Sequence, residues 1–507
     1  MNPSIDFIKN MVAAMADSYK YGHFEQYPDA EEMVAYGECR GPMYADDHRI
    51  VFSGMRYIVD NFLSHKWTHQ ELDLLAHFMS THNAGNTPYP WPEVLFRKFV
   101  DENNGYFPVT IQAMPEGSVI QPHVPVYQIT AKAPYTLLIT FLETLLTKVW
   151  YSTTVGTLDR HVWQDIYEAY EISVDPADYW TLDYRFHDFG MRGVTCEEQA
   201  IVGGMAHLLN FKGSDTVSAA IYAQYIYNQG KPIAESIPAT EHSVMTARGR
   251  NGELGIVQDM ISRYGKGVFA TVGDSYDWAN FLDVIVPACA EQMEKQGGLW
   301  VVRPDSGNPV ECVLQALQAG LKNFAHHINS KGFMVLHNFA VIQGDGIGPA
   351  VVKQILEAVL DAGFSAQCVA FGMGGGLLQK VNRDTMRFAT KLSQVTYSDG
   401  VAHDVMKDPK TDIDKCSLPG KLTVRYSGNG TEYIVLPINP VWTDHDTFGT
   451  QEVLETVWDS GPVNSELRSY DEIRDFVKAE WTGSREIYDP RSEQLIAKIA
   501  AFRAQTK

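Results

Sequence analysis

The chain has 507 residues, 45% of them apolar, and a formal net charge of −21 at pH 7. That length and apolar content describe a globular protein with a large core and room for two lobes. The acidic balance argues against a nucleic-acid partner, which needs a basic footprint. It also implies that any anionic ligand is met by Lys and Arg gathered at one site against the net field.

The N-terminus offers a short apolar stretch, Met11 to Ala16, without a signal-peptide layout. Residues 1–35 lead through Asp17, Ser18, Tyr19 and Lys20 toward Glu38, Cys39 and Arg40. From about 50 to 100 the pattern is helical, with Trp67, Leu72, Leu75, Phe78 and Met79 at core spacing. Strands are predicted at 109–113 and 126–130 around a turn at 115–117, and helices from 135 to about 172. The most apolar helix, Tyr135 to Val149, contains Glu143 and is too short to span a bilayer, so it reads as core. Six cysteines (39, 196, 289, 312, 368 and 416) form no CxxC pair. Reduced, mostly buried thiols in a cytoplasmic protein without membrane contact are the expectation.

Four segments then repeat one layout of apolar strand, Gly/Asp loop and amphipathic helix. Val268–Val272 runs into Gly273, Asp274 and Ser275; Leu299–Val302 into Arg303, Pro304 and Asp305. Phe339–Ile342 runs into Gln343, Gly344, Asp345 and Gly346; Cys368–Phe371 into Gly372, Gly374, Gly375 and Gly376. In a parallel α/β array such loops gather at the carboxyl ends of the strands, where ligands bind. Glycines admit a phosphate to backbone N–H groups, and carboxylates can hold a sugar hydroxyl or Mg²⁺. The combination suits a phosphorylated sugar with a metal. Singly, each loop is weak evidence, because turns need glycine and aspartates cap helices.

One helix of this region shows Val310, Val313, Leu314, Leu317 and Leu321 along one predicted face. Beyond 400 come a Lys- and Asp-rich stretch, 407–415, and a hairpin pairing 421–426 with 433–436 through a turn at 428–430. A charged helical tail is expected from Asp471 to Lys507. The expected division is an N-terminal α+β domain over 1–180, a catalytic βα domain over 181–400, and a C-terminal hairpin with helices over 401–507.

Two further segments invite chemistry. In His187–Gly193 an aromatic, Phe189, stands near Arg192, able to stack a planar ring and hold a phosphate. In Ile237–Ser243, His242 adjoins Glu241. The chain has no HExxH, GxSxG or GxxxxGK[ST] motif, and its one Asp pair, Asp46-Asp47, sits in a polar loop.

These segments, in this order, closely resemble the nicotinate/nicotinamide phosphoribosyltransferase family, the type II phosphoribosyltransferases. The matching stretches are Asp17–Lys20, Gln26–Pro28, Glu38–Arg40, His187–Gly190, Arg192-Gly193 and Asn210–Val217. They continue through Glu241–Ser243, Asp274–Asp277, Arg303–Pro309, Ile342–Gly346, Gly374–Lys380, Arg383-Asp384 and Lys407–Pro409. The resemblance implies an α/β fold with an irregular, incomplete βα-barrel-like core and a second, smaller mixed α+β domain. It implies transfer of phosphoribosyl from 5-phosphoribosyl-1-pyrophosphate to nicotinamide, with Mg²⁺ as cofactor and ATP as coupling substrate, by a homodimer with shared sites.

The resemblance also implies residue roles. Phe189 and Tyr19 of the partner subunit would sandwich the pyridine ring, and Asp215 would accept the carboxamide N–H. Arg303 and Asp305 would position the ribose, and Gly344, Gly375 and Gly376 the 5′-phosphate. Arg192, with Arg40, Arg383, Lys391, Lys407 and Lys415 of the partner subunit, would carry the phosphates of pyrophosphate and ATP. Asp17, Ser236 and Asp345 fall among the substrate-binding positions, and Asp305 and Asp274 (the latter through water) at the metal. His242 would be an autophosphorylated histidine. Three positions depart from animal relatives: Met191 replaces Tyr, and Ala270 and Gly273 replace Ser. Ala270 is expected near the carboxamide. A carboxylate at 215 favours an amide over nicotinate, whose own carboxylate it repels.

Overall fold

The computed structural model describes residues 3–411, 415–427, 432–438, 452–464, 467–481 and 487–505. The turn expected at 428–430 lies outside them. The chain divides into two compact units, Val155–Val381 with Ser469–Arg474, and Met1–Thr154 with Asn382–Arg468 and Asp475–Lys507. The divisions thus fall near 154 and 381, not near 180 and 400. The reason is strand pairing: Ala389–Thr396, inside the expected catalytic domain, pairs with Glu32–Glu38. The 32–38 unit takes more of the chain than the other, so the second domain is not the smaller.

Six short strands build the sheet of the Val155–Val381 unit. In spatial order they are Gly213–Ser214, Phe186–Asp188, Val369–Met373, Phe339–Gln343, Leu299–Arg303 and Val268–Val272. Every pairing is parallel. Both edge strands bond to one extended segment, residues 235–240: Ser214 N donates to Glu235 O at 3.0 Å, and Thr240 N to Ala270 O at 3.1 Å. Isolated bridges from this shared segment to both edge strands accompany the curl of the sheet into an irregular, incomplete barrel. Alternate residues face inward. Ala270, Val301, Ala340, Ile342 and Ala370 form the interior, with Ile237 and Leu299 against them. Alanines on three strands suit so narrow a barrel.

Helices follow the strands on the outside. Asn308 caps Pro309–Asn323 by accepting from Val310 N and Glu311 N at 3.0 and 3.2 Å. Its buried face holds Cys312, Val313, Ala316, Leu317, Ala319 and Gly320, whereas Leu314 and Leu321 are only half-buried. The face is rotated from the predicted one because Gly320 lies against Phe339, where a Cβ would approach its ring to 2.6 Å.

The other unit is built on an antiparallel sheet in the order Ala402–Asp404, Ala389–Thr396, Glu32–Glu38, Pro125–Lys132, Val109–Ala113, Glu455–Asp459. In Val109–Ala113 burial alternates with the strand period. Trp67, Leu72, Leu75 and Met79 are buried as predicted; Phe78 is exposed, off the 72–75–79 face, and packs on His82 at 4.4 Å between ring centroids. The tail forms two helices, Tyr470–Trp481 and Glu493–Gln505. Pro490 stands between them, its carbonyl accepting from Val435 N at 2.7 Å, so the chain there is extended. Among the described residues no helix is long and apolar enough to cross a membrane.

Candidate active site

The parity that turns Leu299 and Val301 into the barrel also turns Arg303 inward, at the carboxyl end of its strand. On the neighbouring strands the same alternation brings Gly344, Gly372 and Gly374 to the mouth. Phe189, one residue past its strand, donates its N–H to Met373 O at 3.0 Å and packs on the interior cluster. Its ring occupies the space the glycines leave: a Cβ on Gly372 would lie 2.0 Å from Phe189 Cε2, and one on Gly344 3.3 Å from it.

Above this floor opens a cavity of about 380 Å³. It gathers Phe189, Arg192, Arg303, Asp305, Gly344, Asp345, Gly375 and Gly376, all singled out from the sequence. It adds Gly346, Gln379 and Lys380, which sequence reasoning quoted only as parts of motifs, and Ile347, which it did not quote. Three cations (Arg192, Arg303 and Lys380) face two carboxylates (Asp305 and Asp345), so the lining is net positive in an acidic chain. Arg303 Nε is buried without a hydrogen-bond partner among the described residues, its nearest carboxylate oxygen being Asp305 Oδ1 at 3.8 Å. Arg303 lines the cavity with this donor uncommitted to a protein acceptor among the described residues, which leaves its guanidinium able to turn toward an anionic ligand. At Gly376 any Cβ would meet Ile347 O at 2.6 Å, so only glycine lets the backbone close this wall.

His242 opens the helix His242–Thr246 and is half-exposed. Its ring faces two carboxylates, with Nε2 3.2 Å from Asp274 Oδ1 and Nδ1 3.6 Å from Asp305 Oδ2. The sequence neighbour Glu241 is not its partner; Glu241 Oε1 accepts from Ser243 Oγ instead. Asp274 is enclosed and committed, its Oδ2 accepting from Asp305 N at 3.1 Å and from Ser306 Oγ. Asp274 therefore fixes the 303–306 loop, while Asp305 keeps its carboxylate open toward the cavity.

Asp215 ends the 213–214 strand, and its Oδ1 accepts from Ser236 Oγ at 2.5 Å. Much of the residue's surface is open, yet protein around its carboxyl raises its pKa above the usual carboxylate value. The Ser236 hydroxyl and the Arg303 charge oppose that rise, and Asp188 adds to it. Ala270 lies within the barrel interior rather than at the mouth. Gly273 is packed under Phe281 and Trp278, where a Cβ would stand 2.7 and 2.8 Å from their rings. A serine at 273 would not fit without rearrangement. Met191, half-buried, begins the turn Met191–Gly193.

The remaining expected residues belong to the other unit. Burial lowers the Lys391 pKa; Glu143 opposes that fall, Arg40 and Lys407 add to it and Glu38 opposes it, so three cations and two carboxylates share this neighbourhood. Arg40 Nε is held by Arg387 O at 3.1 Å. Lys407 N donates to Ser417 Oγ at 2.8 Å. Arg383 pairs with Asp384 at 3.4 Å on the surface, and Lys415 is exposed. Tyr19 is 55% exposed in the helix Ser18–Gly22, and Asp17 precedes it, accepting from Thr144 Oγ1 at 3.2 Å.

A glycine-lined, cation-bearing cavity at the carboxyl ends of a curled parallel sheet, floored by an aromatic ring, defines a site for a phosphorylated ligand with a planar group. Residues 184–453 match the nicotinate phosphoribosyltransferase (NAPRTase) family, and residues 11–111 the N-terminal domain of nicotinamide phosphoribosyltransferase. The chain belongs to the nicotinate phosphoribosyltransferase family and is a phosphoribosyltransferase. It is 37% identical over 460 residues to a nicotinamide phosphoribosyltransferase of Xanthomonas campestris pv. campestris, covering 88% of this chain and 93% of that one. A nicotinamide phosphoribosyltransferase of Acinetobacter baylyi is 29% identical over 82% of this chain and 88% of its own length. Human nicotinic acid phosphoribosyltransferase shares the fold, with a TM-score of 0.60 over 96% of this chain and 99% of that one at 16% identity.

Proposed function

We propose that the protein transfers the phosphoribosyl group of 5-phosphoribosyl-1-pyrophosphate to nicotinamide, giving nicotinamide mononucleotide and pyrophosphate in NAD salvage. The observation that supports this reading is an acceptor carboxylate, Asp215, just past a strand end of the same sheet and within electrostatic reach of Arg303, which lines the cavity together with the Phe189 ring. The ring nitrogen's lone pair forms the bond to the anomeric carbon as the bond to the pyrophosphate oxygen breaks. The sugar passes through oxocarbenium character while charge builds on the leaving group. Such a displacement needs alignment and cations more than proton transfer. Arg303 and Asp305 hold the ribose, the Gly344 and Gly374–Gly376 backbone the 5′-phosphate, and Arg192 with Lys380 the leaving group. Product analysis with nicotinamide and phosphoribosyl pyrophosphate should return nicotinamide mononucleotide and pyrophosphate in equal amounts; neither product appearing would overturn the assignment.

Mg²⁺ would supply charge neutralisation on the pyrophosphate. Among the described residues no three potential ligands cluster for a metal. A Mg²⁺ ion takes water and substrate oxygens beside one or two carboxylates. Asp305, with open oxygens, would be one such carboxylate. Asp274, its oxygens engaged, would support it at one remove.

The shared-site homodimer remains part of this reading. Val217, Ile221 and Tyr225, spaced by four on the helical turn after Asp215, are 54–64% exposed and present an apolar stripe suited to self-association. The cluster of Arg40, Lys391 and Lys407 would meet the phosphates from the partner subunit, and Tyr19 the base. A cytoplasmic location agrees with the free cysteines.

Asp215→Asn should lower nicotinamide selectivity over nicotinate about ten- to a hundredfold, since a hydrogen bond to a charged acceptor contributes roughly 1.5–3 kcal/mol. Because burial raises the Asp215 pKa, acid should relax the wild-type selectivity in the same direction: a protonated carboxyl no longer repels nicotinate. An unchanged ratio of the two kcat/KM values in the variant would remove Asp215 from the argument.

ATP coupling through His242 is the second part of the proposal. Asp274 Oδ1 holds Nε2 as the donor at 3.2 Å, and Nδ1, 3.6 Å from Asp305 Oδ2 and beyond hydrogen-bond reach of it, keeps the lone pair that would attack the γ-phosphorus of ATP, releasing ADP. His242→Ala should lose ATP hydrolysis and acid-labile phosphate labelling while keeping a low ATP-independent transfer rate. A variant that still hydrolyses ATP in step with product would exclude His242 as the phosphorylated residue.

A further inference from the structure

Asp188 is fully buried at the end of its strand and is not among the residues that line the site cavity. Its Oδ1 accepts from Gly190 N at 2.7 Å, and its Oδ2 from Thr216 Oγ1 at 2.6 Å. Its backbone carbonyl accepts from Asp215 N at 3.0 Å. One residue therefore grips both sides of two loops: the Asp188–Gly190 turn that presents Phe189, and the Asp215–Thr216 turn that presents the acceptor for the base. Thr216 is itself buried, its N–H donating to Ser214 Oγ at 3.1 Å, so it has little freedom to re-aim its hydroxyl. The packing makes room for this carboxylate: a Cβ on Gly204 would come 3.2 Å from Asp188 Oδ2 and 2.5 Å from the Ala219 methyl. The adjoining strand is anchored from below, Gly213 O accepting from buried His207 Nε2 at 2.7 Å, with Asp159 Oδ1 3.1 Å from the other ring nitrogen.

Resting on the reading of Phe189 and Asp215 as the base site, we propose that the Asp188–Thr216 hydrogen bond is the positioning element for base choice. It sets the spacing between the ring that stacks the base and the carboxylate that reads its substituent. Asp188 is a positioning residue and does not touch the substrate. Its side-chain hydrogen bonds go to Gly190 N and Thr216 Oγ1 and, among the described residues, not to Gly344, Gly374–Gly376, Arg303 or Asp305, so loosening it at Thr216 should act on the base and spare the sugar phosphate. A fully buried carboxylate bonded to two separate loops holds their distance more tightly than either loop's own turn can, because each loss leaves a buried charge short of a donor.

The test is Thr216→Val, which keeps volume and removes the hydroxyl, with Thr216→Ser restoring it and Asp188→Asn as a second variant. Steady-state constants are measured for nicotinamide, nicotinate and phosphoribosyl pyrophosphate on the full-length protein. In Thr216→Val the nicotinamide KM should rise about tenfold, the lower end for a charged hydrogen bond, and the nicotinamide-to-nicotinate ratio of kcat/KM should fall. The phosphoribosyl pyrophosphate KM should stay within about twofold, and Thr216→Ser should recover both base parameters. Asp188→Asn should show the same pattern, more strongly. An unaltered nicotinamide KM in Thr216→Val, a parallel rise of both KM values, or no recovery with serine overturns the proposal. If the wild-type protein turns over nicotinate only, the function reading fails and the same base-against-sugar split is read with nicotinate. Turnover of neither base overturns both.

Discussion

Arg303→Ala is expected to lower kcat/KM for nicotinamide mononucleotide formation by about a hundredfold to ten-thousandfold. The guanidinium lies at the barrel mouth with its Nε buried and without a partner among the described residues. Its stem runs past Gly344, where a Cβ would stand 3.7 Å from Arg303 Cδ, so the group is fixed before ligand arrives. Two charge-assisted hydrogen bonds to the substrate, at roughly 1.5–3 kcal/mol each, correspond to that range, since about 1.4 kcal/mol is tenfold in rate. Arg303→Lys should recover little of the loss, because an ammonium cannot reproduce the fork geometry. Initial-rate kinetics on folded variants check this; a loss below about threefold would show that the buried donor does not meet substrate.

Gly372→Ala is expected to disable base binding although no side chain is removed. The added methyl would lie 2.0 and 2.2 Å from two carbons of the Phe189 ring, so the ring must leave its seat. The neighbouring barrel interior, filled by Ala340, Ala370 and Ile342, has no slack to absorb it. Overpacking of this kind costs about 1–3 kcal/mol of stability. Displacing the ring removes a stacking surface worth about 0.5–1.5 kcal/mol beyond its area. The melting temperature should fall, and the nicotinamide KM should rise about tenfold or more. In a Phe189→Ala background the same substitution should be nearly silent, a non-additivity that marks direct contact. Full additivity would place the damage elsewhere.

Three of the four strand-loop-helix units were legible because their signals are local: a run of apolar residues, then glycine and aspartate, then a helical period. The fourth strand and loop also form, but only the short helix Gly375–Leu378 follows them. The barrel's closure was not legible. The 235–240 segment pairs through isolated bridges, contains Pro238, and carries no strand pattern of its own. Glu32–Glu38 escaped for a different reason. Buried from Met33 to Glu38, it shows no alternation, and one partner lies some 350 residues away at Ala389–Thr396. The same non-locality misplaced the domain boundaries.

At the site, residue identities were readable and partnerships were not. His242 has a carboxylate beside it in sequence, yet it faces Asp274 and Asp305 from two other strand ends. Asp188 was visible only as one letter of a motif. A buried carboxylate reveals its role through its donors, and Thr216 lies 28 positions on. Gln379, whose Nε2 donates to Gly190 O at 3.2 Å, was hidden in the same way.

The central claim is that Asp215, within electrostatic reach of Arg303, and the Phe189 ring select an amide-bearing pyridine. The most direct test is competition between nicotinamide and nicotinate for limiting phosphoribosyl pyrophosphate, at neutral pH, with Mg²⁺, with and without ATP, reading both mononucleotides. The account predicts that nicotinamide mononucleotide exceeds nicotinate mononucleotide by at least about tenfold in both conditions. Equal amounts, or an excess of nicotinate mononucleotide, would contradict it.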